Sequence, residues 1–377
     1  MRNIVLDIGF SPGDIIVFTR ALRDLCEQYP DYRITIRTCC PAIFEANPFV
    51  NKKIIPDKVN IIPDADNLVA IGKDICEIAK NPELLFKEMA TKNEMNAIFK
   101  GGIWNYIDKE SEKVVFTCKQ KEQPRIKEET YNVHYEDIHN SGWSGRHVST
   151  AFVIELEEKL KVKIKQTSLL PDLHLSDKEK EWINQVEQEF NYRGKFWLIN
   201  SGHKLDYPLK QWGFDRWQKL VDLLKDKIQF VQIGELGDNH VHKPLEGAFN
   251  LLGKTDLRQL IRLSYHAEGG VSHVSLLHHL MAAWQKPCVT IAGGREPRRW
   301  ESYPHIRYLD TNGQLPCCAY NGCWQSGRME GTCCTLNPEN KTCKSMVGLS
   351  PKCFAMITPE QVSQEILNYY YGGVLQF

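Results

Sequence analysis

The residues best suited to chemistry stand at the ends of apolar runs. Asp14 follows Gly13 in a turn that bears glycine and proline, after the run at 4–8 and directly before a helical pattern. Glycine permits the tight turn. A carboxylate there can act as a general base toward an attacking hydroxyl, or serve simply as a helix N-cap. Ser201 and Gly202 close a second apolar run at 196–200, and Lys204 and Lys210 follow at short range. An ammonium at such a point can neutralise a diphosphate leaving group, the alternative being an exposed loop lysine. Glu235 ends the run at 230–233, where a carboxylate can accept both hydroxyls of a ribose. Ser275 opens an apolar helical pattern and, with nearby backbone N–H groups, can bind phosphate, to which His279 can add a hydrogen bond. Arg295 lies in the turn Gly293-Gly294-Arg295-Glu296-Pro297 after a further strand-like run, a setting that suits an anion.

A second chemistry lies in the cysteines. The chain has 13, and seven of them fall between Cys317 and Cys353, so the enrichment is local and not a chain-wide disulfide framework. Thiolates bind zinc or iron in tetrahedral groups of four, and Cys318, Cys323, Cys343 and Cys353 are the candidate set for a structural metal. Reduced thiols and disulfides are the alternatives. Such a site would fold a polar segment and not perform the reaction.

The loop at 137–147 gathers Gly, Ser, His and Trp before a helical pattern. Trp143 offers a face on which a sugar can stack, and Asp137 competes with Asp14 for the role of base. A purely structural loop is the other reading.

The elements that must position these residues follow from length and pattern. At 377 residues the chain suits two domains, and 47 basic against 47 acidic residues leave no overall field toward nucleic acid or an anionic membrane. No apolar run approaches membrane-spanning length and the first residues carry no signal-like region, so a cytoplasmic protein without a transmembrane segment is expected. The pattern predicts a strand at 4–8, a helix at 14–28 and a strand at 32–38, a β-α-β unit. A short helix is expected at 43–48 and strand pieces at 54–55, 61–62 and 68–71, with a mostly helical pattern from 73 until a strand at 114–118. The lysine-rich run at 119–127 reads as a solvated loop. A capping box at Ser176 and Glu179 predicts one charged helix to about 190. From 194 onward strands and helices alternate in the rhythm of a doubly wound parallel sheet, and a last helix runs from 358 through 371.

With these residues assembled, the chain resembles the heptosyltransferase-like glycosyltransferases of family nine. The opening strand with Gly13-Asp14 and the helix at 20–25, the Asn47-Pro48 stretch and Lys210-Gln211-Trp212 are similar to elements of that family in its order. So are Asn250 to Thr255 and His279 to Ala283 with Lys286-Pro287. The resemblance implies an α/β GT-B fold of two facing Rossmann-like domains, with boundaries at 1–172 for the acceptor domain and 173–193 for a linker and capped helix. The nucleotide-sugar domain would span 194–357, including the cysteine-rich finger at 317–353, and a terminal helix at 358–377 would cross back to the first domain. It implies inverting, metal-independent transfer of a heptose or related sugar from a nucleotide-diphosphate donor, ADP-linked in the first instance, to a hydroxyl of a glycan or protein. Asp14 would then be the base, Lys210 a diphosphate contact, Glu235 a ribose contact, and Ser275 with His279 part of the donor phosphate site. One departure stands out: where the family usually carries Asp-Ser/Thr-Gly, this chain has Val274-Ser275-Leu276. Similar cysteine fingers occur in heptosyltransferases that modify autotransporter proteins, where they hold iron, which implies a protein acceptor and iron over zinc. Oligomerisation is compatible with the sequence. The competing reading is a degenerate nucleotide-sugar-binding or scaffold protein with a structural metal finger; redox or metal sensing at 317–353 is a third.

Overall fold

A computed structural model describes residues 2–50, 95–100, 103–108, 114–119, 128–134, 145–205, 208–237, 239–319, 322–324, 343 and 345–370. The chain divides into two compact units, Met1–Asn51 with Glu129–Phe377, and Lys52–Glu128. The smaller unit contains strands Met95–Lys100, Ile103–Asp108 and Val114–Lys119, paired antiparallel in sequence order. The helical pattern expected before residue 114 is therefore corrected for 95–108. The two strands pair antiparallel with Lys100 opposite Ile103, and their backbone hydrogen bonding overrides the weak helical pattern. The strand pieces expected at 54–55, 61–62 and 68–71 lie outside the described residues.

The larger unit opens with β1 (Arg2–Ile8), α1 (Pro12–Gln28) and β2 (Tyr32–Thr38), with β1 and β2 parallel from Arg2 opposite Tyr32 to Ile8 opposite Thr38. A third strand, β3 (Glu128–Asn132), completes the order β2-β1-β3, and α2 (Val148–Leu160) packs on α1. Arg20 of α1 is buried and fully engaged: it pairs with Asp24 at 3.2 Å, and its guanidinium reaches the carbonyls of Ser149 and Ser168 and the side chain of Gln166. A buried guanidinium is tolerated only when paired and hydrogen-bonded in this way. The helix begins two residues earlier than the pattern predicts, with Ser11 as N-cap and Pro12 at the first helical position.

The second half carries β4 (Phe196–Asn200), α3 (Phe214–Leu224), β5 (Gln229–Gln232), β6 (Phe249–Asn250) and α4 (Leu257–His266). It continues with β7 (Gly269–His273), α5 (Leu276–Ala283), β8 (Cys288–Gly293) and β9 (Arg307–Asp310). Its six strands run in the order β6-β5-β4-β7-β8-β9, every neighbouring pair parallel. By position in this half that order is 3-2-1-4-5-6, which reverses direction between β4 and β7, the place where doubly wound sheets bind ligands. The strands read as continuous apolar runs because helices cover both faces. One core runs from Ile4, Ile15, Ile16 and Leu22 into Leu198, Leu277 and Met281, so α1 and α5 are packed together.

One expectation about helices is corrected. The charged segment after Ser176 forms two short helices, Asp177–Lys180 and Gln185–Phe190, because Asn184 supplies a second N-cap by accepting from the Val186 and Glu187 N–H groups. Among the described residues the last helix is α6 (Pro359–Asn368), and 371–377 lie outside them. It packs on α3 and β8, burying Val362 and Ile366 in a core shared with Trp217 and Leu220. Among the described residues no helix is long and apolar enough to cross a membrane.

Arg258 on α4 ties distant segments together. It holds both oxygens of Glu179, at 2.7 and 2.8 Å, and donates to the carbonyls of Ala42 and His174. That hydrogen bonding pulls the Glu179 carboxyl down from 4.5 to about 2. A depressed carboxyl adds stability above its unfolded value and loses it as the pH falls through its folded value. Glu179→Gln is expected to destabilise the protein at pH 7 by roughly 1–3 kcal/mol. The difference in melting temperature from wild type should shrink as the pH is lowered from about 4.5 toward 2.

Candidate active site

The site is built where the strand order reverses. Ser275 is the N-cap of α5 directly after β7, in extended backbone, and its side chain makes no capping bond. Its Oγ is buried and has no hydrogen-bond partner among the described residues. A buried hydroxyl left unpaired costs about 1–3 kcal/mol, so it calls for an explanation. A bound anion at the helix N-terminus supplies one, because the first N–H groups of α5 are also without intrahelical acceptors.

Lys210 reaches the same point. Its Nζ donates to the Val274 carbonyl at 3.4 Å and lies 2.6 Å from Glu296 Oε1. The lysine is placed by Trp212, which is fully buried, donates its indole N–H to the Ile357 carbonyl at 2.7 Å and stacks edge-on against Trp217. The Trp212 backbone N–H donates to His273 Nε2 at 3.0 Å. Burial pushes the His273 imidazole down to about 3, so it is neutral and able to accept that bond. The spacing Lys-x-Trp thus has a physical meaning: the tryptophan is the anchor and the lysine the reach.

Glu296 is only 3% exposed, and the same oxygen, Oε1, is also paired with Arg295. Burial pushes its carboxyl up, but Lys210 and Arg295 outweigh that and hold it below the usual carboxylate range. Arg295 also lies over the Trp324 ring, 5.5 Å from its centroid. Glu301 behaves in the opposite way. Burial and the Glu296 charge raise its carboxyl well above the ordinary value, and its Oε2 has no hydrogen-bond partner among the described residues. Neither Glu296 nor Glu301 was singled out by sequence; the Arg-Glu pair in a strand-end turn was the signal, and Arg295 alone drew notice.

His279 is buried, with Nδ1 at 3.0 Å from the Tyr303 hydroxyl and Nε2 at 3.9 Å from Glu301 Oε2. His278, His279 and Glu301 are the one group of three metal-ligating side chains gathered within 4.8 Å among the described residues. His278 does not offer a free ligand atom, since Nδ1 meets Thr290 Oγ1 at 2.7 Å and Nε2 meets the Glu301 carbonyl at 2.9 Å.

The turn of the first half adjoins this site. A Cβ at Gly13 would lie 3.3 Å from His279 Cδ2 and 3.8 Å from the Leu276 Cα, so only glycine leaves α1 and α5 this close without adjustment. Asp14 sits in the first turn of α1, half-buried, accepting from Ser11 Oγ at 2.6 Å, and its charge is felt by Glu301 and Tyr303. Ser11, not Asp14, is the cap.

The remaining candidates are spread more widely. Ser201 is buried at the end of β4 and accepts from Gln232 Nε2 at 2.9 Å. Glu235, at the end of β5, is largely exposed, 3.8 Å from His240 Nε2. Lys204 is exposed in a two-residue strand paired with His240–Val241. Asp137 and Trp143 lie outside the described residues.

The cysteines converge on a separate point. Cys317, Cys318, Cys323, Cys343 and Cys353 line one cavity of about 10 Å³ with Gly294 and Phe354, room for about one water or ion. Gly294 is required there, as a Cβ would lie 2.7 Å from Cys318 Sγ. Burial, then the neighbouring Cys343 and Cys318, pushes the Cys353 thiol up to about 11. No three of these sulfurs lie within 4.8 Å of one another among the described residues, and Cys333 and Cys334 fall outside them.

The reversed parallel sheet and the second strand-helix edge beside it make an α/β protein of the GT-B fold. Among family models, that of glycosyltransferase family 9 (heptosyltransferase) matches residues 139–318. Among solved structures, ADP-heptose lps heptosyltransferase II of E. coli is 16% identical with a TM-score of 0.56, the match covering 99% of this chain and 100% of that one. The iron-containing dodecameric glycosyltransferase TibC of enterotoxigenic E. coli H10407 is 14% identical with a TM-score of 0.54, over 99% of this chain and 77% of that one. TibC in complex with ADP-D-beta-D-heptose matches at 12% identity and a TM-score of 0.51, with the same coverage. A search of curated proteins finds no sequence match.

Because Ser275 Oγ is buried and makes no bond here, Ser275→Ala should raise the thermal stability of the ligand-free protein, by about 1 kcal/mol or more. The same change should weaken ADP binding by about tenfold, the value of one charge-assisted hydrogen bond. Thermal melting and calorimetric titration measure the two effects separately.

Proposed function

We propose that the chain transfers a heptose or related sugar from an ADP-linked donor to a hydroxyl of a glycan or protein acceptor, with inversion and without a catalytic metal. The observation that carries this reading is the junction of Gly13-Asp14 with the first turn of α5, whose cap Ser275 has an unpartnered hydroxyl beside Lys210. The diphosphate of the donor would lie on the α5 N-terminus, held by Ser275 and Lys210, with Glu235 at the end of β5 available to the ribose. The acceptor oxygen attacks the anomeric carbon as the bond from that carbon to the diphosphate oxygen breaks. Asp14 takes the hydroxyl proton, and Lys210 faces the charge that builds on the leaving diphosphate. Support for the donor comes from TibC, whose structure holds ADP-D-beta-D-heptose.

Val274 stands where a family member would carry an aspartate. Its side chain is buried, so this position offers the donor sugar no polar side chain, only a backbone carbonyl already engaged by Lys210. The sugar need not be the heptose of the relatives. A panel of ADP- and GDP-linked sugars, scored for both transfer and hydrolysis, decides between an enzyme and a binding module: turnover of one donor supports transfer, and saturable binding with no turnover overturns it.

The reading includes a structural iron or zinc on the cysteine cavity. Five thiols line that space and are soft donors, although among the described residues no three of their sulfurs lie within 4.8 Å of one another, so binding would have to draw them together. When bound, the metal would brace the loop at 293–297 that carries Glu296, with Cys318, Cys323, Cys343 and Cys353 as its holders.

Lys210→Ala is expected to weaken ADP binding by about 10- to 100-fold, the cost of a lost charge-assisted contact. Asp14→Asn should keep ADP affinity within about twofold while lowering transfer by at least 100-fold. Transfer that survives Asp14→Asn would move the base role to Asp137. Elemental analysis of the purified protein should find about one iron or zinc per chain, and Cys353→Ser should lower that content; a metal-free, fully active protein would remove the metal from the account.

A further inference from the structure

Lys210 is already satisfied. Its ammonium sits 2.6 Å from a carboxylate that is almost wholly buried, which leaves it an ion-paired group and not a free cation awaiting an anion. The carboxylate it meets is shared, for Glu296 also pairs with the buried Arg295. Arg295 is fixed in turn, with its guanidinium over the Trp324 ring and its carbonyl accepting from the Trp324 N–H at 3.3 Å. The loop that presents both residues is rigid: Gly293 has φ +60 where a Cβ would strike Phe354, the Glu296 carbonyl accepts from the Tyr308 hydroxyl at 3.2 Å, and the Thr311 N–H closes on the Gly293 carbonyl.

This arrangement has an asymmetry. Two cations share one carboxylate, one of them locked and the other, Lys210, about a quarter exposed on a long flexible side chain. Losing one partner of a buried ion pair ordinarily costs several kcal/mol, because the other charge is left uncompensated. Here Arg295 stays behind, so Glu296 remains paired when Lys210 leaves. Glu296 is ionised in its buried position because both cations hold it so.

Resting on the nucleotide-diphosphate reading of the α5 N-terminus, we propose that Glu296 is an exchangeable counter-ion for Lys210: it holds the ammonium beside the site when no donor is bound, yields it to the diphosphate, and takes it back as the nucleotide departs. The ammonium moves between two anions that compete for it, and Glu296 sets how tightly the site grips a diphosphate. A purely structural Glu296 would have the opposite sign, since its loss would loosen the loop and weaken every ligand.

The test is calorimetric titration of ADP into the full-length wild type, Glu296→Gln, Glu296→Asp and Lys210→Ala, with the double variant Glu296→Gln/Lys210→Ala. Removing the competing charge should tighten ADP binding by about fivefold or more, and the shorter Asp should give a smaller gain in the same direction. The gain should vanish in the Lys210→Ala background, because there is no ammonium to release. Equal or weaker ADP binding by both Glu296→Gln and Glu296→Asp, with melting temperatures near wild type, overturns the proposal. A gain that persists without Lys210 also overturns it, by assigning the effect to Arg295. Should Glu296→Gln fold poorly, Glu296→Asp retains the charge and decides alone. Wild type that binds no ADP, or Lys210→Ala that binds it equally well, instead removes the nucleotide reading on which the proposal stands.

Discussion

Trp212 is the constraint from which the site follows. Its ring is wholly buried between Trp217 and the backbone of Ile357, and its N–H is held by a neutral imidazole in β7. Fixing that residue fixes Lys210 two positions earlier, with its ammonium at the mouth of α5. Burying a side chain of this size contributes several kcal/mol, more than the approach of one lysine to a helix N-terminus costs. The core therefore holds the cation in place, and the cation does not have to hold itself.

The electrostatics around it divide by burial and partnership. Glu296 and Glu301 stand five residues apart, both buried, yet two paired cations hold one low while burial and the charge of the first push the other well up. Lys210 lies on the side of Glu296. Asp14 lies near enough to Glu301 for its charge to add to the upward push on that carboxyl. Such a separation of carboxyl behaviour within one cluster is how environment gives neighbouring acids different properties.

Much of this was legible in the sequence, and for identifiable reasons. The β-α-β opening and the alternation after residue 194 are strong periodic signals, and the strand-end turns at Gly13, Ser201 and Ser275 follow from them. The meeting of Gly13 with His279 was not legible, since it depends on α1 packing against α5 across a long stretch of chain. Glu296 escaped because a buried carboxylate looks like an exposed one until its cations are placed. Other departures have local causes. Asn184 caps a second helix inside what reads as one charged helix, and antiparallel pairing of Met95–Lys100 with Ile103–Asp108 outweighs a weak helical pattern there.

The most direct test of the central claim is a crystal structure of the protein soaked with ADP. The account predicts diphosphate oxygens at the start of α5, within hydrogen-bonding distance of Ser275 Oγ and Lys210 Nζ, with Gly13-Asp14 adjoining. ADP bound elsewhere on the molecule, with Lys210 and Ser275 untouched at saturating nucleotide, would contradict it.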